Sequence, residues 1–321
     1  MSEAAMGTIR SAHCKFNKEE DARALKNAMK GLGTDEDQIT AVLANRTNAQ
    51  RQEIREYYKT AYGKDLIQDL KDDLSGNYEE TILALMQTPT EYDVHSLHKA
   101  MEGLGTDESV LIEILCTRSN GDIKAIKEMY KKVYKKELEK DISDDTSGHF
   151  KRLLISMCTA NRDESDIVDE DKVNDDVKTL FEAGEDKWGT DESEFNRILA
   201  TRSHPHLRAV FAAYKKAHNK DIFDVIKSET SGDLCEGYLT IAKSSNDPTD
   251  YYAESLYKSM KGLGTNDDRL IRVVVTRSEI DLGVIKTRFN EKYNSSLEQF
   301  VKGDCSGDYK NVLLAIIKTY A

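Results

Sequence analysis

Apolar positions along this chain recur at helical spacing. Near the start, Ala22, Leu25, Ala28 and Met29 fall on one helix face, and Ile39, Val42 and Leu43 do the same after a glycine-rich interruption. Gly31 reads as a helix terminator, Thr34 as the cap of the next helix, and Asp35 and Glu36 as first-turn acids that the helix dipole favours. A third helix is expected near Asn48, a fourth from about Lys64, and a fifth from Asn77 through Ile82, Leu83 and Leu85. Few runs alternate strictly enough, or are β-branched enough, to read as strands. The pattern predicts an all-α protein.

The same arrangement returns four times. The interrupting turns read Met29-Lys30-Gly31-Leu32-Gly33-Thr34, Met101-Glu102-Gly103-Leu104-Gly105-Thr106, Glu185-Asp186-Lys187-Trp188-Gly189-Thr190 and Met260-Lys261-Gly262-Leu263-Gly264-Thr265. Forty residues beyond the last glycine of each stands an acid, Asp73, Asp145, Glu229 or Asp304, two residues ahead of Ser75-Gly76, Ser147-Gly148, Ser231-Gly232 or Ser306-Gly307. The last glycines lie at 33, 105, 189 and 264, so the repeats are 72, 84 and 75 residues apart. Units of that length exceed ordinary solenoid repeats, and each is expected to carry five helices, twenty in all. The chain divides on this reading into a short tail (1–15), repeats at 16–87 and 88–159, a polar acidic linker between halves (160–171), and repeats at 172–245 and 246–321. Repeats one and two, and repeats three and four, are expected to be the tighter pairs.

A glycine-rich turn exposes backbone carbonyls, and a carboxylate beside it adds hard oxygens. That donor set suits Ca2+, which takes about six to eight oxygens in flexible geometry, better than Mg2+. Three carbonyls and a bidentate carboxylate supply about five ligands, leaving about two positions for water or for an oxygen of another molecule. With one formal charge such a site is weak alone, and a phosphate oxygen would complete it.

Composition sharpens this. The chain has 321 residues with a net charge of −12, which argues against nucleic-acid binding and against direct attraction to anionic lipid. An anionic partner needs a cation as bridge. Mean hydropathy is −0.62, no stretch is long and apolar enough to span a bilayer, and neither a secretory signal nor a myristoylation site is evident, so the expected compartment is the cytosol. The five cysteines, Cys14, Cys116, Cys158, Cys235 and Cys305, are widely spaced and read as reduced thiols.

A second recurring mark is Arg46, Arg118, Arg202 and Arg277, each thirteen residues past the last glycine of its turn. It reads as structural: arginine offers a fork of donors to carboxylates or helix carbonyls, and the following Thr47, Ser119, Ser203 and Ser278 suit the cap of the third helix. His95 with His98, and His204 with His206, lack the further ligands of a catalytic metal site and read as surface residues. No EF-hand loop is present, and the turns lack both the third glycine and the preceding strand of a dinucleotide site. No enzyme is expected.

With its G-x-G-T turns, T-R-S triplets and downstream acidic-x-S-G, the chain resembles the annexin family over residues 16 to 319. The resemblance implies four homologous five-helix repeats forming a curved disc, with calcium-dependent, reversible binding to phosphatidylserine-containing membranes and no catalysis. It implies calcium held by carbonyls of Met29, Gly31 and Gly33 with Asp73, of Met101, Gly103 and Gly105 with Asp145, of Gly184, Lys187 and Gly189 with Glu229, and of Met260, Gly262 and Gly264 with Asp304. Repeat three lacks the Met-x-Gly opening, which leaves Glu185 as an alternative first donor. Asp73 is shorter than the glutamate often found there, so site one is expected to be weaker. Secondary sites of the family match Thr34 with Glu36, Thr106 with Glu108 and Thr190 with Glu192, whose alternative role is to stabilise helix starts. The polar channel of the family matches Asp93, Glu113, Arg118 and Arg272, which also suit an ion-pair network. Trp188, the chain's one tryptophan, is expected to swing toward lipid when calcium binds. Membrane organisation or trafficking, and trimers or lattices on the bilayer, are family properties that these residues do not determine. The tail shows no amphipathic partner helix and names no tail-binding protein.

Overall fold

A computed structural model describes residues 6–10, 15–31, 33–184, 190–262 and 264–318. Twenty helices and no strand occur among the described residues. Repeat one holds α1 (Lys18–Ala28), α2 (Glu36–Leu43), α3 (Asn48–Tyr62), α4 (Leu66–Asp73) and α5 (Gly76–Met86); repeat two holds α6 (Pro89–Met101), α7 (Glu108–Thr117), α8 (Asn120–Tyr134), α9 (Leu138–Asp145) and α10 (Gly148–Cys158). Repeat three holds α11 (Glu170–Ala183), α12 (Glu192–Thr201), α13 (His204–His218), α14 (Ile222–Glu229) and α15 (Gly232–Asn246); repeat four holds α16 (Pro248–Met260), α17 (Asp267–Arg277), α18 (Leu282–Tyr293), α19 (Leu297–Asp304) and α20 (Gly307–Ile317).

Local chemistry sets these boundaries. Thr47 and Gln50 form a reciprocal capping box at the start of α3, and Ser119 with Asp122 does the same for α8. Ser203 caps α13 through the His206 amide. Ser278 departs from expectation: it is the C-cap of α17, its hydroxyl donates to the Val275 carbonyl, and α18 begins only at Leu282. That helix is 12 residues long against 15 for α3, α8 and α13. The space of its missing first turn receives the N-terminal segment, where the Ile9 amide donates to the Ser278 carbonyl at 3.0 Å and the Gly283 amide to the Met6 carbonyl at 2.9 Å. A Cβ on Gly283 would stand 2.5 Å from the Met6 carbonyl oxygen, so only glycine admits this contact.

The residues cluster into two compact units, Met1–Pro89 with Tyr252–Ala321, and Thr90–Tyr251. Repeat one is thus grouped with repeat four, and repeat two with repeat three, contrary to the expected pairing of one with two and three with four. In the first unit the second and fifth helices of each repeat pack together, α5 against α17 and α20, and α2 against α20. In the second unit α7 packs on α15, and α10 on α12. These helices suit a central position because they are apolar around much of their circumference. Val110 through Cys116 are buried without interruption in α7, as are Leu270 through Val274 in α17. The polar stretch 160–171 lies within the second unit and is bonded there on both sides. The Asn120 side chain donates to the Arg162 carbonyl at 2.8 Å, Arg162 donates through Nη1 to the Arg202 carbonyl at 2.7 Å, and the Asp163 amide donates to the Thr201 carbonyl at 2.8 Å.

Candidate metal centre

Each turn begins at the end of a repeat's first helix. In repeat one α1 stops at Ala28, whose carbonyl accepts the Asp35 amide at 2.9 Å and so closes the loop between α1 and α2. The equivalent bonds are Asp107 to Ala100 at 2.8 Å, Asp191 to Ala183 at 2.7 Å and Asn266 to Ser259 at 2.7 Å. Inside the loop Gly31 and Gly33 have φ of 109° and 90°, Gly103 and Gly105 of 97° and 93°, and Gly262 and Gly264 of 121° and 89°. L-residues rarely adopt such values, which is why the pattern demands glycine there. Among the described residues, no hydrogen bond reaches the carbonyl oxygens of Met29, Gly31, Gly33, Met101, Gly103, Gly105, Gly184, Met260, Gly262 or Gly264. Backbone acceptors without an internal partner at a loop crest are available to a cation.

The distant acids arrive by a second route. Asp73, Asp145, Glu229 and Asp304 are each the last residue of their repeat's fourth helix. The threonine that ends each of the first three turns ties the loop to that helix. Thr34 Oγ1 donates to the Asp73 carbonyl at 3.3 Å, Thr106 to Asp145 at 3.5 Å and Thr190 to Glu229 at 3.0 Å. Thr34 is therefore not the cap of α2; Asp35 is, accepting the Gln38 amide at 2.9 Å. Asp107, Asp191 and Asn266 cap the corresponding helices, because a short carboxylate or amide reaches the second or third amide of a helix from that position. Two helix C-termini, with unfilled carbonyls and the negative ends of their dipoles, thus face one carboxylate. That field favours a cation.

Comparison with known proteins identifies the family. The annexin family model matches residues 20–85, 92–157, 175–241 and 251–316. The chain belongs to the annexin family. It is 52% identical to annexin A13 of Homo sapiens over 302 residues, 94% of this chain and 96% of the relative, and 51% identical to annexin A4 of Homo sapiens over 97% of each chain. The structure of annexin III superposes with a TM-score of 0.94 at 43% identity, covering 99% of both chains. The structure of calcium-bound annexin (Sm)1 superposes at 0.87 with 34% identity, covering 99% of this chain and 94% of that one.

The third annexin turn carries one residue more between its closing amide and carbonyl than the other three do. Lys187, Trp188 and Gly189 of this turn, with the alternative donor Glu185, lie outside the described residues. Its opening is described: Gly184 is the C-cap of α11 and follows the closing carbonyl of Ala183, as Met29 follows Ala28. A Cβ built on Gly184 would lie 3.3 Å from Glu229 Cγ, so this glycine and the repeat's acid are neighbours. Glu229 is half-buried, and its Oε2 accepts Thr190 Oγ1 at 2.9 Å, whereas Asp73, Asp145 and Asp304 are exposed.

Under each turn lies a contact that sequence reading missed. Lys26 Nζ sits 3.8 Å from the Tyr62 ring centre, His98 stacks on Tyr134 at 3.7 Å, Phe181 on His218 at 4.1 Å and Tyr257 on Tyr293 at 3.8 Å. In every repeat the first partner stands three residues before Met29, Met101, Gly184 or Met260, and the second lies at the end of the third helix. The pair holds the departing first helix against the third. Its signal escaped because the position holds lysine, histidine, phenylalanine and tyrosine in turn and shares only a flat or cationic surface. Leu104, at the crest of the second turn, is fully exposed at 108%.

The secondary candidates Glu36, Glu108 and Glu192 are the first residues of α2, α7 and α12. Tyr78 and Tyr238 donate to the backbone carbonyls of Glu36 and Glu192, and His149 lies 3.8 Å from the Glu192 carboxylate. The recurring arginines do hold carboxylates: Arg46 pairs with Asp21 at 2.6 Å, Arg118 with Asp93 at 2.7 Å and Arg202 with Asp176 at 2.6 Å. Repeat four has Tyr252 in place of the acid, and Arg277 covers its ring at 4.5 Å while turning to Asp281 at 2.6 Å. Asp93, Glu113 and Arg272 are all buried, and of these Asp93 is the partner of Arg118. His206 is buried and lies 2.9 Å from Asp176, which corrects its assignment to the surface; His204 is half-buried against Ser245. Burial also pushes the thiols of Cys116 and Cys158 up to about 12, and Cys305 up to about 11, while Cys14 lies outside the described residues. No group of three or more His, Cys, Asp or Glu able to hold a metal occurs among the described residues. No helix among them is long and apolar enough to cross a membrane.

Proposed function

We propose that this annexin binds anionic phospholipid membranes reversibly through Ca2+ held at its four turns, from the cytoplasmic side, and serves membrane organisation or trafficking rather than catalysis. The observation that carries the reading is that turn carbonyls without a hydrogen bond among the described residues recur on loops that a threonine ties, in the first three repeats, to the terminal acid of the fourth helix. Met29, Gly31, Gly33 and Asp73, Met101, Gly103, Gly105 and Asp145, and Met260, Gly262, Gly264 and Asp304 would supply the oxygens in three repeats. Gly184, Lys187, Gly189 and Glu229 would do so in the other, with Gly184 preferred over Glu185 because it stands where Met29 stands. When bound, Ca2+ supplies the positive charge that a chain of net charge −12 lacks. Each set provides about five oxygens, so a headgroup phosphate would complete the shell, and phosphatidylserine and calcium would bind cooperatively.

The flanking side chains fit the same role. Leu104, exposed at the crest of the second turn, places an apolar group where a turn would meet the interface, and Trp188, which falls in the third turn of the sequence, would add an amphipathic ring there. Thr34, Thr106 and Thr190 keep loop and acid in register. The secondary pairs Thr34 with Glu36, Thr106 with Glu108 and Thr190 with Glu192 would be weaker positions, since the glutamates also favour their helix N-termini.

The test is the combined replacement of Asp73, Asp145, Glu229 and Asp304 by Ala, followed by sedimentation with phosphatidylserine vesicles across a calcium titration. The variant is expected to keep its helical circular dichroism and lose calcium-dependent sedimentation. An unchanged calcium midpoint in a folded variant would rule out the coordination assignment.

A further inference from the structure

The segment 160–169 runs through the second unit as a strap without helix, turn or bend. Its first half is fastened by Asn120, Arg162 and Asp163, with Glu164 Oε1 accepting the Asn120 amide at 2.8 Å. Its far end is fixed where Asp169 caps α11. Between these anchors Ile167 is 76% exposed and Val168 41% exposed. Single exposed aliphatics are ordinary on a protein surface, but two in succession on a held, extended backbone are not explained by packing. No described residue hydrogen-bonds to the backbone of Asp166, Ile167 or Val168. Three consecutive residues therefore offer unpaired amides and carbonyls, the feature by which an exposed extended segment adds to the edge of another sheet.

The surrounding charge selects the partner. Residues 162–172 contain six acids, Asp163, Glu164, Asp166, Asp169, Glu170 and Asp171, against two bases, Arg162, which donates to the Arg202 carbonyl, and Lys172, which pairs with Asp169 at 3.3 Å. We propose that this strap is a docking site for a basic protein partner, which adds a strand along residues 166–168 and receives Ile167 in an apolar pocket rimmed by lysine or arginine. The strap is held before the partner arrives, so little ordering cost falls on binding. Its charge repels anionic lipid, and it contains none of the candidate calcium ligands, so docking needs no calcium.

The full chain, in chelator, is panned against displayed short linear peptides, and recovered sequences are synthesised as probes. Peptides are expected to alternate β-branched or aromatic residues with Lys or Arg, to weaken with salt, and to slow hydrogen exchange at the Ile167 and Val168 amides. Ile167→Asp should weaken them at least about tenfold while leaving calcium-dependent sedimentation with phosphatidylserine vesicles unchanged. Ile167→Val, which keeps the apolar contact, should retain binding. The proposal is overturned if no peptide is recovered, if Ile167→Asp leaves affinity within about twofold, or if the amides are not protected. It is equally overturned if Ile167→Asp abolishes vesicle binding, which would make the strap a membrane element, or if it dissolves a dimer of the wild-type chain, which would make the occupant a second copy.

Discussion

Replacing Gly103 by Ala in the second turn isolates the part that backbone conformation plays in calcium binding. Gly103 has φ of 97°, and a Cβ there meets nothing within 4 Å, so the methyl group collides with no neighbour. The penalty is conformational alone. Holding an L-residue in left-handed backbone costs about 1–2 kcal/mol, or roughly a five- to thirtyfold change in an equilibrium constant. The closing bond from Asp107 to Ala100 and the Thr106 tie to Asp145 define two ways to take that cost. If they hold the empty turn in its present shape, the strain lowers the stability of the calcium-free protein. If the empty turn relaxes, the strain is met on binding and calcium affinity falls instead. By linkage the two losses together should reach about 1–2 kcal/mol. The measurement is made with Asp73, Glu229 and Asp304 already replaced by Ala, so that repeat two alone reports. Thermal unfolding without calcium gives the first loss, and a calcium titration of vesicle sedimentation gives the second. A combined loss below about 0.5 kcal/mol would show that the turn does not need its left-handed glycine, and the geometric basis of the site would fail.

Three further outcomes are expected. Arg118→Ala removes one member of a bidentate pair whose side chains are 11% and 6% exposed, and should destabilise the second unit by about 3–5 kcal/mol, read as a fall in thermal midpoint on the order of 10 °C. His204 is held down to about 4 by burial and by Arg162 and Arg208, so the unfolded chain takes up its proton first. Its contribution to stability is complete above the ordinary histidine value of 6.5 and declines as pH falls toward about 4; His204→Gln should flatten the denaturation profile over that window, and an unchanged slope would contradict the assignment. Emission from Trp188, the one tryptophan of the chain, should change on adding calcium and again on adding phosphatidylserine vesicles; indifference to both in sedimenting protein would remove it from the membrane contact.

Much of this was legible in the sequence because it depends on neighbours along the chain. Apolar periodicity defined the helices, and capping chemistry placed many ends within a residue or two. The left-handed requirement at Gly31, Gly33 and their counterparts marks itself, since few other residues tolerate it. Where local options were close, the reading slipped. Thr34 and Asp35 both suit a cap, and only the approach of α4 gives the threonine hydroxyl another acceptor, the Asp73 carbonyl. Ser278 follows its arginine as Thr47 does, but the N-terminal segment occupies the place of the next helical turn.

The sequence by itself determined the all-α class, the four repeats, and the coupling of each turn to an acid forty residues away, because a recurring function leaves a recurring spacing. Tertiary structure alone decided how the repeats group, one with four and two with three, since that depends on which apolar helices meet and not on which are consecutive. It also decided the aromatic and cationic contacts beneath the turns, the exchange of carboxylate for Tyr252 beside Arg277, and the exposure of Ile167 on its strap. Each depends on surfaces brought together from distant parts of the chain, and packing accepts many side chains that present the same shape or charge.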